Sequence, residues 1–145
     1  DSCRIEKGFR HFGHDITCED HVLEAGLGFA VKTDKPAFIG RAAVLEKRQT
    51  GLETRLVQFK LTDPQPMLYH NAPILLDGEI VGYLSSGAYG HHLGAAIGMG
   101  YVPCKGESVA QVLASRYEID VAGIKVRAEA SLRPMYDPTS QRVKA

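Results

Sequence analysis

The chain has no excess of either charge: 17 basic and 17 acidic residues cancel over 145 positions, and runs of like charge stay short. That balance gives no footprint for nucleic acid or for a membrane surface. Long apolar runs are missing too. No segment approaches the roughly 18 residues that span a bilayer, and the N-terminus lacks a basic region followed by an apolar stretch. Cysteine is scarce. Cys3, Cys18 and Cys104 are odd in number and widely spaced, which argues against a disulfide framework or a cysteine-based zinc site. Reduced thiols in an intracellular compartment are expected. No internal repeat or low-complexity tract is visible. There is also no initiating Met: Asp1-Ser2-Cys3-Arg4-Ile5-Glu6 reads as the middle of an amphipathic helix, so a fragment of a longer protein is expected.

With 44% hydrophobic residues, the chain can build one proper core and is too short for two full domains. The expected organisation is an appendage, residues 1–35, then a compact unit, residues 36–145. In the appendage a helical turn ends near Gly8, an aromatic and histidine-rich loop follows, and the apolar run Val22 to Val31 is expected to pair as a strand. Asp34-Lys35-Pro36 marks a turn. Ile39, Ala42, Ala43 and Leu45 then fit a helix that Gly51 stops and that bridges appendage and core.

From Arg55 the period changes to two, with Val57, Phe59 and Leu61 on one face and Leu56, Gln58 and Lys60 on the other. Asp77-Gly78 between Ile74-Leu75-Leu76 and Glu79-Ile80-Val81 predicts a two-residue hairpin turn, because both positions can take positive φ. Ser85 to Gly94, with glycines at 87, 90 and 94, reads as a loop leading into the apolar strand Ala95 to Val102. A short helix over Glu107 to Ser115 and a hairpin joining Tyr117–Ala122 to Ile124–Ala130 around Gly123 complete the pattern. The fold class expected is mainly β (α+β): a small antiparallel β-barrel with short helices.

Chemistry-bearing patterns are weak on their own. His11 and His14 could clasp a metal on a helix, but Gly13 between them disfavours one and no third ligand has a matching spacing. His91 and His92, adjacent in extended chain, point to opposite faces. Ser86 and Cys104 lack the turn and the base of an activated nucleophile, and Ser86 is expected to bond loop backbone. Gly94-x-x-x-Gly98-x-Gly100 has the wrong glycine order for a dinucleotide cradle. Tyr89 and Tyr101 are expected to anchor the barrel by ring burial and one hydrogen bond each. No metal site and no catalytic group are expected in this chain.

One resemblance is specific. Phe38-Ile39-Gly40-Arg41, Arg55-Leu56-Val57, Gly82-Tyr83-Leu84-Ser85-Ser86-Gly87-Ala88-Tyr89, Leu93-Gly94 and Tyr136-Asp137-Pro138 together resemble the C-terminal part of the glycine-cleavage T-protein (aminomethyltransferase) family. Arg4 to Ile16 and Leu23 to Gly28 resemble most the branch fused to a flavin domain, the sarcosine and dimethylglycine dehydrogenases. The resemblance implies that residues 1–35 are the tail of a preceding folate-binding domain. It also implies that tetrahydrofolate lies in a channel between domains. Phe9, three positions after Glu6, would pack beside that ligand, and Arg142 would meet its carboxylate. Where family members carry Tyr, this chain has Phe9, so stacking survives without a hydroxyl. The catalytic aspartate and the FAD site would belong to other domains, so neither cofactor is expected to bind the fragment alone. The partners implied are the remainder of the parent chain and a small-molecule folate, in a bacterial cytoplasm or a mitochondrial matrix. A free-standing aminomethyltransferase and a non-catalytic interaction module of the same architecture are the alternatives.

Overall fold

The computed structural model describes residues 1–145. A short helix α1 (Ser2–Glu6) is followed by turns and one 3₁₀ turn (Gly28–Ala30), then by α2 (Arg41–Thr50). Six strands come next: β1 (Thr54–Leu61), β2 (Pro73–Leu76), β3 (Glu79–Gly90), β4 (Ala95–Pro103), β5 (Tyr117–Val121) and β6 (Ile124–Ser131). Helix α3 (Val109–Ala114) lies between β4 and β5, and α4 (Gln141–Lys144) ends the chain. All strand pairs are antiparallel, and the order β1-β4-β3-β2-β5-β6 closes on itself through β6 and β1. The barrel expected from the sequence is the barrel observed. Closure leaves no edge strand to recruit another chain.

The turns form where the sequence placed them. Asp77 (φ 52°) and Gly78 (φ 88°) join β2 to β3, and Ala122 (φ 53°) and Gly123 (φ 90°) join β5 to β6. Ser108 and Gln111 form a reciprocal capping box that starts α3. Other expectations fail. Residues 85–90 are strand, not loop: β3 runs on to Gly90 and the turn is confined to residues 91–94. The glycines there serve close approach, since a Cβ at Gly87 would lie 2.7 Å from the Tyr69 carbonyl oxygen. The run Val22 to Val31 is not a strand. Its amides bond locally, Ala25 N–H to His21 O and Leu27 N–H to Val22 O, because the closed barrel offers no further edge.

Strand parity divides the core in two. Val57, Phe59 and Leu61 of β1 point into the barrel with Ile74, Leu84, Ala96, Val102, Tyr117 and Ile119. Phe59 and Tyr117 meet edge to face, with centroids 5.2 Å apart. The opposite face of β1 is buried as well: Leu56 packs with Ile97 and Met99 of β4 under Ile5 of α1. Fully burying Ile5 contributes about 1.5–3 kcal/mol to fixing the appendage on the barrel wall. The α2 helix reaches the barrel indirectly. Lys47 bonds the Glu24 carboxylate at 3.0 Å, and the same oxygen accepts the Glu53 N–H at 2.9 Å, just before β1.

Candidate functional site

Three polar side chains fasten α1 and fix what projects from it. Gln58, on the outer face of β1, donates from Nε2 to the Ile5 carbonyl at 2.6 Å and accepts the Met135 N–H at 3.0 Å on Oε1. One amide thus ties α1 and the C-terminal tail to the same strand. Glu6 is 1% exposed and accepts three N–H groups: His92 backbone at 2.7 Å, Leu93 backbone at 3.2 Å and His92 Nδ1 at 2.9 Å. Burial by itself raises the Glu6 carboxyl, but these donors outweigh it and hold the group below its ordinary pKa.

The third anchor is Arg4. It donates to Asp15 Oδ2 at 2.7 Å, to Ser86 Oγ at 2.7 Å and to the Phe9 carbonyl at 3.1 Å. Asp15 has no exposure, and it also accepts the His11 N–H at 2.8 Å and the Ser85 hydroxyl. Adjacent side chains of a regular strand face opposite ways, yet Ser85 and Ser86 both serve this network. The register shift between Leu84 and Ser86 opposite β4 re-aims them. Ser86 therefore bonds a guanidinium, not loop backbone as the sequence suggested.

These anchors leave Phe9 outside. Gly8 takes φ +65°, ending the helical turn, and Phe9 emerges 63% exposed, so it is not a core residue. The tail returns to the same helix. Tyr136 N–H donates to the Glu6 carbonyl at 3.2 Å, and Lys7 Nζ donates to the Asp137 carbonyl at 2.7 Å. The Tyr136 ring lies against the His92 ring at 4.3 Å, and the exposed Arg142 guanidinium is 5.5 Å from the Tyr136 centroid. Phe9 and Arg142 thus project from two segments bound to one helix, α1.

The remaining candidates fall elsewhere. His11 and His14 stack at 4.5 Å, and His91 packs on the edge of Tyr89, while its neighbour His92 serves Glu6. Cys104 is buried, donates weakly to the Leu52 carbonyl, and has its thiol pKa pushed up by burial. Gly98 and Gly100 face the barrel interior, where a Cβ would strike Leu84 and Ile74, so they cradle side chains and not a phosphate. Tyr101 keeps its hydroxyl buried without a partner, contrary to the expected hydrogen bond, and burial pushes its pKa up. The largest cavity, about 820 Å³, lies between α2, the start of β1 and Cys104–Glu107. Neither Phe9 nor Arg142 lines it, and its mixed charges (Lys47, Arg48, Arg55 and Lys105 against Glu53 and Glu107) define no single-signed site.

Arg4, Glu6, Asp15, Gln58 and His92 went unnoticed as a set in the sequence. Charged residues on a short helix and a loop read as solvated, and the pairs are separated by up to 86 positions. Only Gln58 gave a local signal, a lone amide beside Leu56 on a strand.

Comparison with known proteins agrees with the geometry. The glycine cleavage T-protein C-terminal barrel domain matches residues 54–137. The 4-methylaminobutanoate oxidase (formaldehyde-forming) of Paenarthrobacter nicotinovorans is 39% identical over 145 residues, covering 99% of this chain and 17% of that protein. The mitochondrial sarcosine dehydrogenase of Homo sapiens is 37% identical over 148 residues, covering 99% of this chain and 16% of that protein. The chain therefore spans about a sixth of the length of these relatives. The crystal structure of the glycine cleavage system aminomethyltransferase T from Bartonella henselae superposes with a TM-score of 0.81 at 28% identity, over 95% of this chain and 38% of that one. With its six-stranded closed barrel and this match across the strands, the chain belongs to the glycine cleavage T-protein C-terminal barrel domain family.

Proposed function

We propose that this chain is one wall of a folate site in a larger one-carbon transfer enzyme of the sarcosine and dimethylglycine dehydrogenase kind. The observation that carries the reading is the pairing of an exposed aromatic face, Phe9, with an exposed guanidinium, Arg142, on segments both fastened to α1. A flat apolar ring suits a pterin or aminobenzoyl face, and a guanidinium suits a carboxylate through paired donors. An oxidase and a dehydrogenase that match 99% of this chain support the flavin-linked branch, and aminomethyltransferases that match 80–94% of it make a free-standing aminomethyltransferase the second reading. No helix of the chain is long and apolar enough to cross a membrane. A bacterial cytoplasm or a mitochondrial matrix fits the three free cysteines.

The reaction proposed for the whole protein is two-electron oxidation of an N-methyl glycine to its iminium, the electrons passing to a flavin that another domain would hold. The methylene carbon then bonds N5 and N10 of tetrahydrofolate to give 5,10-methylene-tetrahydrofolate, its bond to the amine nitrogen breaks and the demethylated amine leaves. Within it, Phe9 covers one face of the bound folate and excludes water there, and Arg142 fixes the carboxylate end. Neither moves a proton, and Glu6 and Asp15 are committed to structural bonds. The chain supplies positioning while proton transfer belongs to residues outside it. Calorimetry tests this. Tetrahydrofolate added to residues 1–145 alone should release little heat, and roughly sub-micromolar binding there would refute the shared-wall reading. In the full-length natural chain, Phe9→Ala and Arg142→Ala should each weaken folate binding, and unchanged affinity in both would do the same.

A further inference from the structure

Arg142 sits on a four-residue terminal helix that buries no side chain, so α4 itself does not fix the guanidinium. What precedes it does. The ionised Glu6 carboxylate can only accept, so His92 Nδ1 carries the proton in the 2.9 Å bond between them, and both oxygens of Glu6 are occupied by residues 92 and 93. The imidazole is locked in place and tautomer, although half of its side chain remains exposed. Its ring lies 4.3 Å from that of Tyr136, with planes tilted 31°. The Tyr136 N–H is held by the Glu6 carbonyl, so the same residue fixes both rings. The Arg142 guanidinium then lies 5.5 Å from the Tyr136 centroid, within cation–π range.

We propose that His92 is a positioning residue for Arg142, acting through Tyr136 as the middle of a stack anchored on the buried Glu6. Asp137 places the backbone of α4, accepting the Gln141 N–H at 2.8 Å and the Arg142 N–H, so the part left to the stack is the direction of the Arg142 side chain. Lys7 is engaged by Asp137 and Ser140, and His91 packs on Tyr89. A free arginine must surrender much rotamer entropy to grip a carboxylate, and a guanidinium already lodged on an aromatic face surrenders less. The stack thus converts an exposed terminal arginine into a pre-oriented carboxylate ligand. This inference rests on the reading that Arg142 meets the folate carboxylate.

The test uses the full-length natural chain and two probes, tetrahydrofolate and tetrahydropteroate as its methyl ester, which lacks the glutamate and carries no carboxylate. Arg142→Ala should weaken tetrahydrofolate roughly tenfold or more and leave tetrahydropteroate unchanged. His92→Ala should weaken tetrahydrofolate about threefold to tenfold, again sparing tetrahydropteroate, and should add nothing in the Arg142→Ala background. If Arg142→Ala acts but His92→Ala does not, or the two effects add, the stack is overturned while the folate reading stands. If Arg142→Ala spares tetrahydrofolate, both fall. If His92→Ala weakens both probes equally, His92 only supports the fold and the proposal is wrong. Unchanged tetrahydropteroate affinity also certifies that each variant has folded.

Discussion

Removing the Glu6 carboxylate should unfasten the appendage and the tail together, and by an amount that depends on pH. Glu6→Gln keeps the shape: its amide oxygen can still accept the His92 and Leu93 backbone N–H groups. Its NH2 faces His92 Nδ1, which must give up its proton to Nε2 to accept it, so the loss is the charge assistance, about 1.5 kcal/mol. Glu6→Ala leaves two backbone donors and the His92 ring without an acceptor and empties a fully buried site, costing about 3–5 kcal/mol. At roughly 3 °C per kcal/mol for a domain of this size, Tm should fall by about 5 °C and about 9–15 °C respectively. The sign of the pH effect follows from the direction of the shift. Because the folded-state pKa of Glu6 is lowered, its contribution is complete above the unfolded value near 4.3 and is lost as pH falls through the lower folded value. Urea unfolding of wild type and Glu6→Gln from pH 7 downward should show a constant gap to about pH 5 and a narrowing gap below it. A gap that stays constant into acid would refute the claim that an ionised, hydrogen-bonded Glu6 fastens α1.

Tyr101→Phe removes a buried hydroxyl that has no partner, so urea unfolding should show no loss, or a gain of up to about 1 kcal/mol; a clear loss would reveal an acceptor. Gly100→Ala would place a Cβ 2.6 Å from both Ile74 Cδ1 and the Tyr83 carbonyl oxygen, and should destabilise the barrel by about 1–3 kcal/mol or more. Gly94→Ala meets no atom within 4 Å but is held at φ +68°, so its cost is strain alone, about 1 kcal/mol, and thermal melts of the two should rank in that order. Thiol labelling of the native protein at pH 8 should modify Cys3 and Cys18 rapidly and spare Cys104, which is buried with its thiol pKa pushed up; equal rates for all three would contradict the packing.

Local chemistry in the sequence was enough to place most strands and the turns joining β2 to β3 and β5 to β6, but not the continuation of β3 through residues 85–90. Asp77-Gly78 and Ala122-Gly123 each need positive φ, Ser108 and Gln111 cap their own helix, and β1 alternates with period two. These are interactions between near neighbours, and near neighbours can be read in order. Where the sequence misled, a distant contact had overridden a local preference. The apolar run Val22–Val31 lacked an edge to pair with, and Ser86 turned to a guanidinium 82 positions away because a bulge re-aimed it. Phe9 and Arg142 could be named from a family resemblance, but their surroundings could not. Only the folded chain brings Glu6, His92 and Tyr136 together, because the free energy of a buried carboxylate depends on which donors surround it, and those donors, on His92 and Leu93, lie 86 and 87 positions along the chain.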